Sequence, residues 1–363
     1  MSARADVSEH SIIAELASWK YGRATGLRRF SVVTGVRDGI SSGDLELMVK
    51  IKPQDEEVME VGESVAALCG DALGRAFSRF KRRTGLALCH VRELAVYQQE
   101  DERFLRHAPT PYGAVRDDNR HAWILVLEKL VDLELMDTAD DVSGWRREHI
   151  EAAVRGIAEV HAIWYGREQE LIAQPWLGSV FTAAGMAEMK ELWIALADHS
   201  ERCFADAIGF SIRSLQQELI ANVGRWWRPL ETLPRTLIHN DFNPRNIALR
   251  RSGDGLRLCA YDWELAALGV PQHDLAELLC FVLTPGHSKQ EVLHYLDVHR
   301  LALQQAVGRA IDPDSWRLGF ELSLYDLILN RFPMYAMVHA LRRQKFLQRV
   351  IATWRSMYDL FPY

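Results

Sequence analysis

Residues 237–266 read LIHNDFNPRNIALRRSGDGLRLCAYDWELA, and this stretch restricts the possible folds more than any other. Two short apolar runs, NIALRR and LRLCAY, flank SGDG, a strong turn signal, so the segment is expected to form a β-hairpin. A hairpin centred near Asp254 sets Asn246 opposite Asp262, each eight residues from the centre. Directly paired strand residues have Cα atoms ~4.5–5.5 Å apart. An amide oxygen and a carboxylate would therefore meet at the open end of the hairpin. Asp241 lies in the loop that feeds its first strand. The plain alternative is a solvated turn rich in Asp and Asn.

This arrangement suits a magnesium nucleotide. Mg²⁺ takes hard oxygen ligands at ~2.0–2.1 Å, few of them from protein. One amide and one carboxylate meet that need, and Asp241 is left to hold a hydroxyl and take its proton as a phosphoryl group moves. A loop Asp, an Asn five residues on and a metal Asp beyond the hairpin is the division of labour in a kinase catalytic loop. HNDFNPRN followed by YDWELAALGVPQHDLAELL resembles the aminoglycoside phosphotransferase/choline kinase-like family, which has a protein-kinase-like fold. The resemblance runs from Lys50 to Leu279 and is most specific between His239 and Asp274. It implies ATP- and Mg²⁺-dependent phosphorylation of a small-molecule hydroxyl. Asp241 matches the catalytic Asp, and Asn246 and Asp262 match the metal ligands. Asp274 matches a bracing Asp, with His239 as structural support behind the loop. The helix AEVHAIWY around His161 is also similar to one in the family. Two departures stand out: Asn240 replaces a common Gly, and no GxGxxG nucleotide loop is present.

A kinase site also needs a Lys for the α- and β-phosphates, held by a Glu from a helix. LELMVKIKP offers Lys50, with Lys52 two residues on and on the same strand face. Lys50 is preferred because MVK resembles the strand-end Lys of the family and Lys52 is nearer the exit turn. CHVRELAVYQQ offers Glu93, 43 residues after Lys50, which leaves room for an extra helix. Ser41 and Ser42 sit in a Gly/Ser-rich turn and either cover the phosphates or form an ordinary hairpin turn. AWILVLEKL reads as a buried central strand. The VLEKLVDLEL segment that overlaps its end looks like an inter-lobe hinge, with backbone groups of Glu128, Lys129 and Leu130 meeting adenine. Amphipathic helices are expected over 8–22, within AALCGDALGRAFSRF and VRELAVYQQEDERFL, along 148–166 and from 322 to 360. The expected fold class is α+β, a two-lobed protein-kinase-like fold with a small strand-rich N-lobe and a larger, mostly helical C-lobe. The N-lobe would span 1–127, the hinge 128–134, and the C-lobe with its acceptor pocket 135–363.

Composition narrows the function. A net charge of −6 argues against a general nucleic-acid binder. No apolar run approaches the ~20 residues of a membrane helix, and the N-terminus lacks a signal-peptide core. Five scattered cysteines without CxxC argue against a disulfide framework and fit the cytoplasm. Residues 301–363 carry eight Lys+Arg and five Asp+Glu, although the whole chain is acidic. This basic, aromatic-rich segment is a plausible pocket wall, so the acceptor is expected to be neutral or anionic. Two other readings compete. One is a metal-dependent phosphohydrolase using His239, Asp241, Asp262, His273 and Asp274. The other is a catalytically silent kinase-like binding module. His161, Trp226 and Trp227 are read as packing, and Glu264 as either a group near the metal or a cap. The acceptor's identity, ATP or GTP, and the oligomeric state stay open.

Overall fold

The computed structural model describes residues 26–33, 44–253 and 255–361; the helix expected over 8–22 and both Ser41 and Ser42 lie outside them. Strand β1 (Gly26–Val33) pairs antiparallel with β2 (Asp44–Ile51). Side chains alternate across β2. Leu47 and Val49 enter a small apolar cluster with Ile124 and Val126, which leaves Lys50 on the opposite face. The run that contains AALCGDALGRAFSRF is two helices, α1 (Asp55–Cys69) and α2 (Asp71–Phe80). The break falls at Gly70, whose φ of 141° has no place in a helix. VRELAVYQQEDERFL is likewise divided into α3 (Cys89–Tyr97) and α4 (Glu102–His107). Asp101 forces that division by capping α4, its carboxylate accepting from Arg103 N at 2.9 Å.

Strands β3 (Pro111–Asp117) and β4 (Ala122–Glu128) complete an antiparallel sheet in the order β1-β2-β4-β3. β4 is buried from Trp123 to Leu127, as its apolar run requires. The chain then leaves the sheet. Glu134 forms a two-bond bridge with Leu249, each N–H···O distance being 2.9 Å, which ties this connection to the hairpin below.

The remainder is dominated by helices. α5 (Arg147–His161) buries Ile150, Val154, Ile157 and His161 along one face. Short helices and α6 (Lys190–Ile208) follow. Next come β5 (Thr236–Ile238), the hairpin β6 (Ile247–Ser252) and β7 (Gly255–Ala260), and β8 (Ala267–Gly269), which pairs with β5. α7 (Gln272–Val282) is buried at every position and runs through the centre of the helical region. α8 (Lys289–Val307), α9 (Pro313–Asp326), α10 (Phe332–His339) and α11 (Leu347–Leu360) surround it. The helix expected from 322 to 360 is interrupted twice, by a π-turn over Leu327–Arg331 and by residues 340–346. Trp226 and Trp227 are buried, as packing residues should be. The fold is α+β and two-lobed, with a strand-rich N-terminal part and a helical C-terminal part.

Candidate active site

The catalytic-type loop is held from behind by one buried carboxylate. Asp274, in the first turn of α7, accepts from His239 N at 2.7 Å, from Asn240 N at 2.8 Å and from His161 Nε2 at 2.9 Å. Burial alone would raise its pKa; the His161 hydrogen bond and neighbouring imidazoles reverse that and hold it below the usual carboxylate range. His161 is thus a core residue with a specific partner. Asn240 has a φ of 60°, a left-handed conformation that Gly adopts freely and Asn tolerates. Its Nδ2 donates to Leu265 O at 3.0 Å. His239 donates Nε2–H to Tyr261 O at 2.9 Å and lies against Trp263, the ring centroids 4.5 Å apart.

The hairpin register differs by one residue from the sequence expectation. Ser252 pairs with Gly255 and Ile247 with Ala260, so the turn holds two residues and its centre lies before Asp254. Asn246 therefore faces Tyr261, whose N–H donates to Asn246 O at 2.9 Å. Asp262 leaves the ladder one residue later, with a φ of 65°. Asn246 Nδ2 donates to Asp241 O at 2.9 Å, which leaves Oδ1 as the amide's acceptor.

Above the hairpin, charges from three elements converge. Lys50 Nζ lies 2.9 Å from Glu93 Oε1 and 2.6 Å from Asp262 Oδ1. Lys52, the first residue past β2 and so nearer the exit as expected, still lies 2.7 Å from Glu93 and also pairs with Glu264. The two lysines share a strand face, so both reach inward. Lys52 is the more deeply buried, with a side chain 2% exposed against 16% for Lys50. Carboxylate oxygens of Glu93, Asp262 and Glu264 lie within 4.8 Å of one another. Burial and the adjacent carboxylates raise the Asp262 pKa despite Lys50. Glu93 is held down at about 2: its burial acts upward, but Lys50 and Lys52 outweigh it. Arg92, one residue earlier on α3, clamps the loop after Asp262 through Glu264 O at 2.8 Å. Sequence reading passed over it, although it adjoins Glu93 in CHVRELAVYQQ.

On the other side, Asp241 is surrounded by donors. Its Oδ1 accepts from Asn243 Nδ2 at 2.6 Å, Tyr335 OH at 2.7 Å and Arg245 Nη2 at 3.0 Å. Arg331 Nη2 lies 2.5 Å from the same oxygen. Among the described residues no donor reaches Oδ2. Burial acts to raise the Asp241 pKa; Arg331, Arg245 and the Tyr335 hydroxyl overcome it and hold the carboxyl far below its usual range. Glu277, buried on α7, lies 2.8 Å from the same Tyr335 hydroxyl, whose single proton the two carboxylates share, and accepts from Phe242 N at 3.1 Å. Sequence reading missed Glu277 and Arg245. Glu277 follows Asp274 by three residues on one helix face, which is a legible signal.

Other expectations are reshaped. Glu128 ends β4, but its N–H donates to Thr110 O at 3.0 Å and its carboxylate binds Thr110 and Arg250. Lys129 and Leu130 follow just past the strand. Of the expected basic and aromatic wall, Arg331, Tyr335 and Phe346 gather near Asp241. Trp316, Phe320, Phe332 and Trp354 are buried packing, and Arg349 binds the carbonyls of Phe281 and Ala139. A histidine-based metal centre is not assembled among the described residues: the grouped carboxylates include no His, and His273 pairs with Asp326 at 3.1 Å.

The model of the phosphotransferase enzyme family (APH) matches residues 63–304. The chain belongs to that family. The match takes in Glu93, Asp241, Asn246, Asp262 and Asp274 and begins after Lys50. No curated protein matches the sequence. Among solved structures, this phosphotransferase-family chain is similar to a putative aminoglycoside phosphotransferase from Ralstonia eutropha at 14% identity and TM-score 0.49, covering 97% of this chain and 98% of that one. It is similar to the choline kinase LicA from Streptococcus pneumoniae at 15% identity and TM-score 0.45, covering 98% and 99%. It is similar to an ethanolamine kinase from Plasmodium vivax at 12% identity and TM-score 0.47, covering 88% and 77%. Similarity at this level transfers no substrate to this member of the family.

Proposed function

We propose that this chain is an ATP-dependent small-molecule kinase, moving the γ-phosphoryl group to a hydroxyl of a neutral or anionic metabolite. The observation that carries the reading is the convergence of Lys50 from β2, Glu93 from α3 and Asp262 from the loop after β7, beside a loop that presents Asp241. A phosphohydrolase would need neither the strand lysine nor its helix glutamate.

In this reading residues 1–127 bind the nucleotide, 128–134 form the hinge and 135–363 carry the catalytic loop and acceptor pocket. The backbone at Lys129 and Leu130 meets adenine. Lys50 binds the α- and β-phosphates, and Glu93 orients it. The oxygen donors fit a hard divalent ion: two ammoniums face three carboxylates, Lys50 occupies one oxygen of Asp262, and Asn246 Oδ1 points away from its own Nδ2 hydrogen bond. Asp262 and Asn246 would hold Mg²⁺, which when bound supplies charge neutralisation for the phosphates. Asp241 Oδ2 accepts the hydrogen bond of the acceptor hydroxyl and fixes its oxygen in line. Its low pKa suits orientation first and proton uptake late, as the oxygen–phosphorus bond forms. His239 and Asp274 support the loop without touching substrate. The five cysteines are free thiols, which fits a cytoplasmic protein. Among the described residues no helix is long and apolar enough to cross a membrane.

The test is ADP release from MgATP with a panel of hydroxylated acceptors, run on wild type and Asp241→Asn. Acceptor-dependent release in wild type and its loss in the variant support the reading. ADP release that ignores the acceptor, or is unchanged in the variant, refutes it.

A further inference from the structure

The acceptor side of Asp241 holds more positive charge than Asp241 needs. A carboxylate oxygen offers about two lone-pair sites, yet Arg245 and Arg331 both converge on Oδ1, together with Asn243 and Tyr335. Glu277 offsets Arg331 only weakly, at 3.4 Å from Nε, and spends its other oxygen on Phe242 N. Among the described residues neither Arg245 Nη1 nor Arg331 Nη1 donates a hydrogen bond. Both side chains keep some solvent access, 29% and 15% exposed. They are also held in place. The Arg245 guanidinium lies over the Tyr335 ring at 4.8 Å and the Phe346 ring at 5.2 Å, and Arg331 lies over Tyr335 at 5.1 Å. An anion meeting them would encounter rigid forks.

The surroundings have the same sign. Between Asp326 and Asp359 the chain has six Lys+Arg and no Asp or Glu. Arg342, Arg343 and Lys345 stand exposed on the connection that delivers Phe346 to Arg245. An ammonium-bearing acceptor would enter against this field, and an anionic one would be drawn along it.

We propose that Arg245 and Arg331 form an anion-recognition fork, so that the acceptor is a hydroxylated compound with a carboxylate or phosphate group close to its reacting hydroxyl. This rests on the kinase reading for which group reacts, but the anion site itself is testable without turnover. The two arginines are specificity residues: they select the acceptor's charge while Asp241 takes its hydroxyl.

The experiment uses four probes that share a three-carbon hydroxylated body: glycerate, glycerol 3-phosphate, glycerol and 2-amino-1,3-propanediol. Binding to the full chain is measured by calorimetry, and transfer from labelled ATP is measured in parallel. An anionic probe is expected to bind about tenfold or more tighter than glycerol, with the amine weakest. Arg331→Met and Arg245→Met should erase the anion-over-glycerol ratio, and Arg331→Lys should restore part of it. That ratio would not move if the arginines only positioned Asp241. Thermal unfolding checks that the variants fold. Glycerol or the amine binding as tightly as the anions, no probe binding, or an unchanged ratio in both Met variants would overturn the inference. Anion binding without transfer to any acceptor would leave the fork standing and sink the kinase reading. Transfer to a neutral or cationic acceptor in preference to the anions would do the reverse.

Discussion

On one side of the catalytic loop two lysines face three carboxylates, and on the other two arginines face two. The first group is assembled across the fold: Lys50 and Lys52 come from the sheet, Glu93 from α3, Asp262 and Glu264 from beyond the hairpin. The second lies within the helical part, drawn from the loop, α7, the π-turn and α10. The excess of carboxylate on the first side suits a cation carried in with a polyphosphate. The second side is rigid, and Glu277 pairs with Arg331 only weakly, which suits a partner that brings its own negative charge. Lysines are mobile point charges and arginines are planar forks. Under the proposed kinase function, the difference would separate a side that adapts to a nucleotide from a side that selects an acceptor.

The largest expected effect breaks the second side at its centre. Asp241→Asn should lower transfer by about 10²–10⁴-fold. MgATP affinity, read by calorimetry, should change little, because the groups that hold Asp241 are Asn243, Arg245, Arg331 and Tyr335 and not the lysine cluster. Next is the first side. Asp262→Ala should weaken MgATP binding more than Asp241→Asn does; equal affinities for wild type and Asp262→Ala would remove the distinction between the two sides. The lysines sharpen it further. Lys50→Met should act mainly on turnover, since Lys50 alone bridges Glu93 and Asp262. Lys52→Met should act mainly on stability, by about 1–3 kcal/mol in chemical denaturation, because it strips a buried partner from Glu93. A larger loss of turnover in Lys52→Met would reverse these roles.

A smaller effect appears in pH dependence. The Asp274 carboxyl has a folded pKa below its unfolded value, so its stabilising contribution is present above the unfolded pKa of about 3.9 and is lost as pH falls through the folded one. Asp274→Asn should therefore be less stable at neutral pH and show a flatter acid limb of stability than wild type. The smallest effect is expected for Arg342→Ser, an exposed substitution that should alter stability by less than about 0.5 kcal/mol.

Much of the site could be read in the chain because its signals are local. The Asp241–Asn246 spacing, the hairpin turn and the strand alternation that sets Lys50 inward all act over a few residues. The register error arose from centring the hairpin on a single residue, whereas the pairing of Ser252 with Gly255 centres SGDG between two. Helix breaks at Gly70 and Asp101 were legible as a glycine and a cap, but the flanking helical periodicity masked them. What could not be read depends on distant packing. Arg245 follows Asp241 by only four residues, yet its role appears only when Tyr335 and Phe346 arrive from a part of the chain some ninety residues later. The same holds for Lys52, which looked redundant until Glu264 was placed beside it.

The most direct test of the account follows the label of γ-labelled ATP in the presence of Mg²⁺ and the matched acceptor panel. The account predicts label in an acceptor phosphate ester, formed on the anionic members first and lost in Asp241→Asn. Label released only as inorganic phosphate, or ATP bound but left intact with every acceptor, would contradict it.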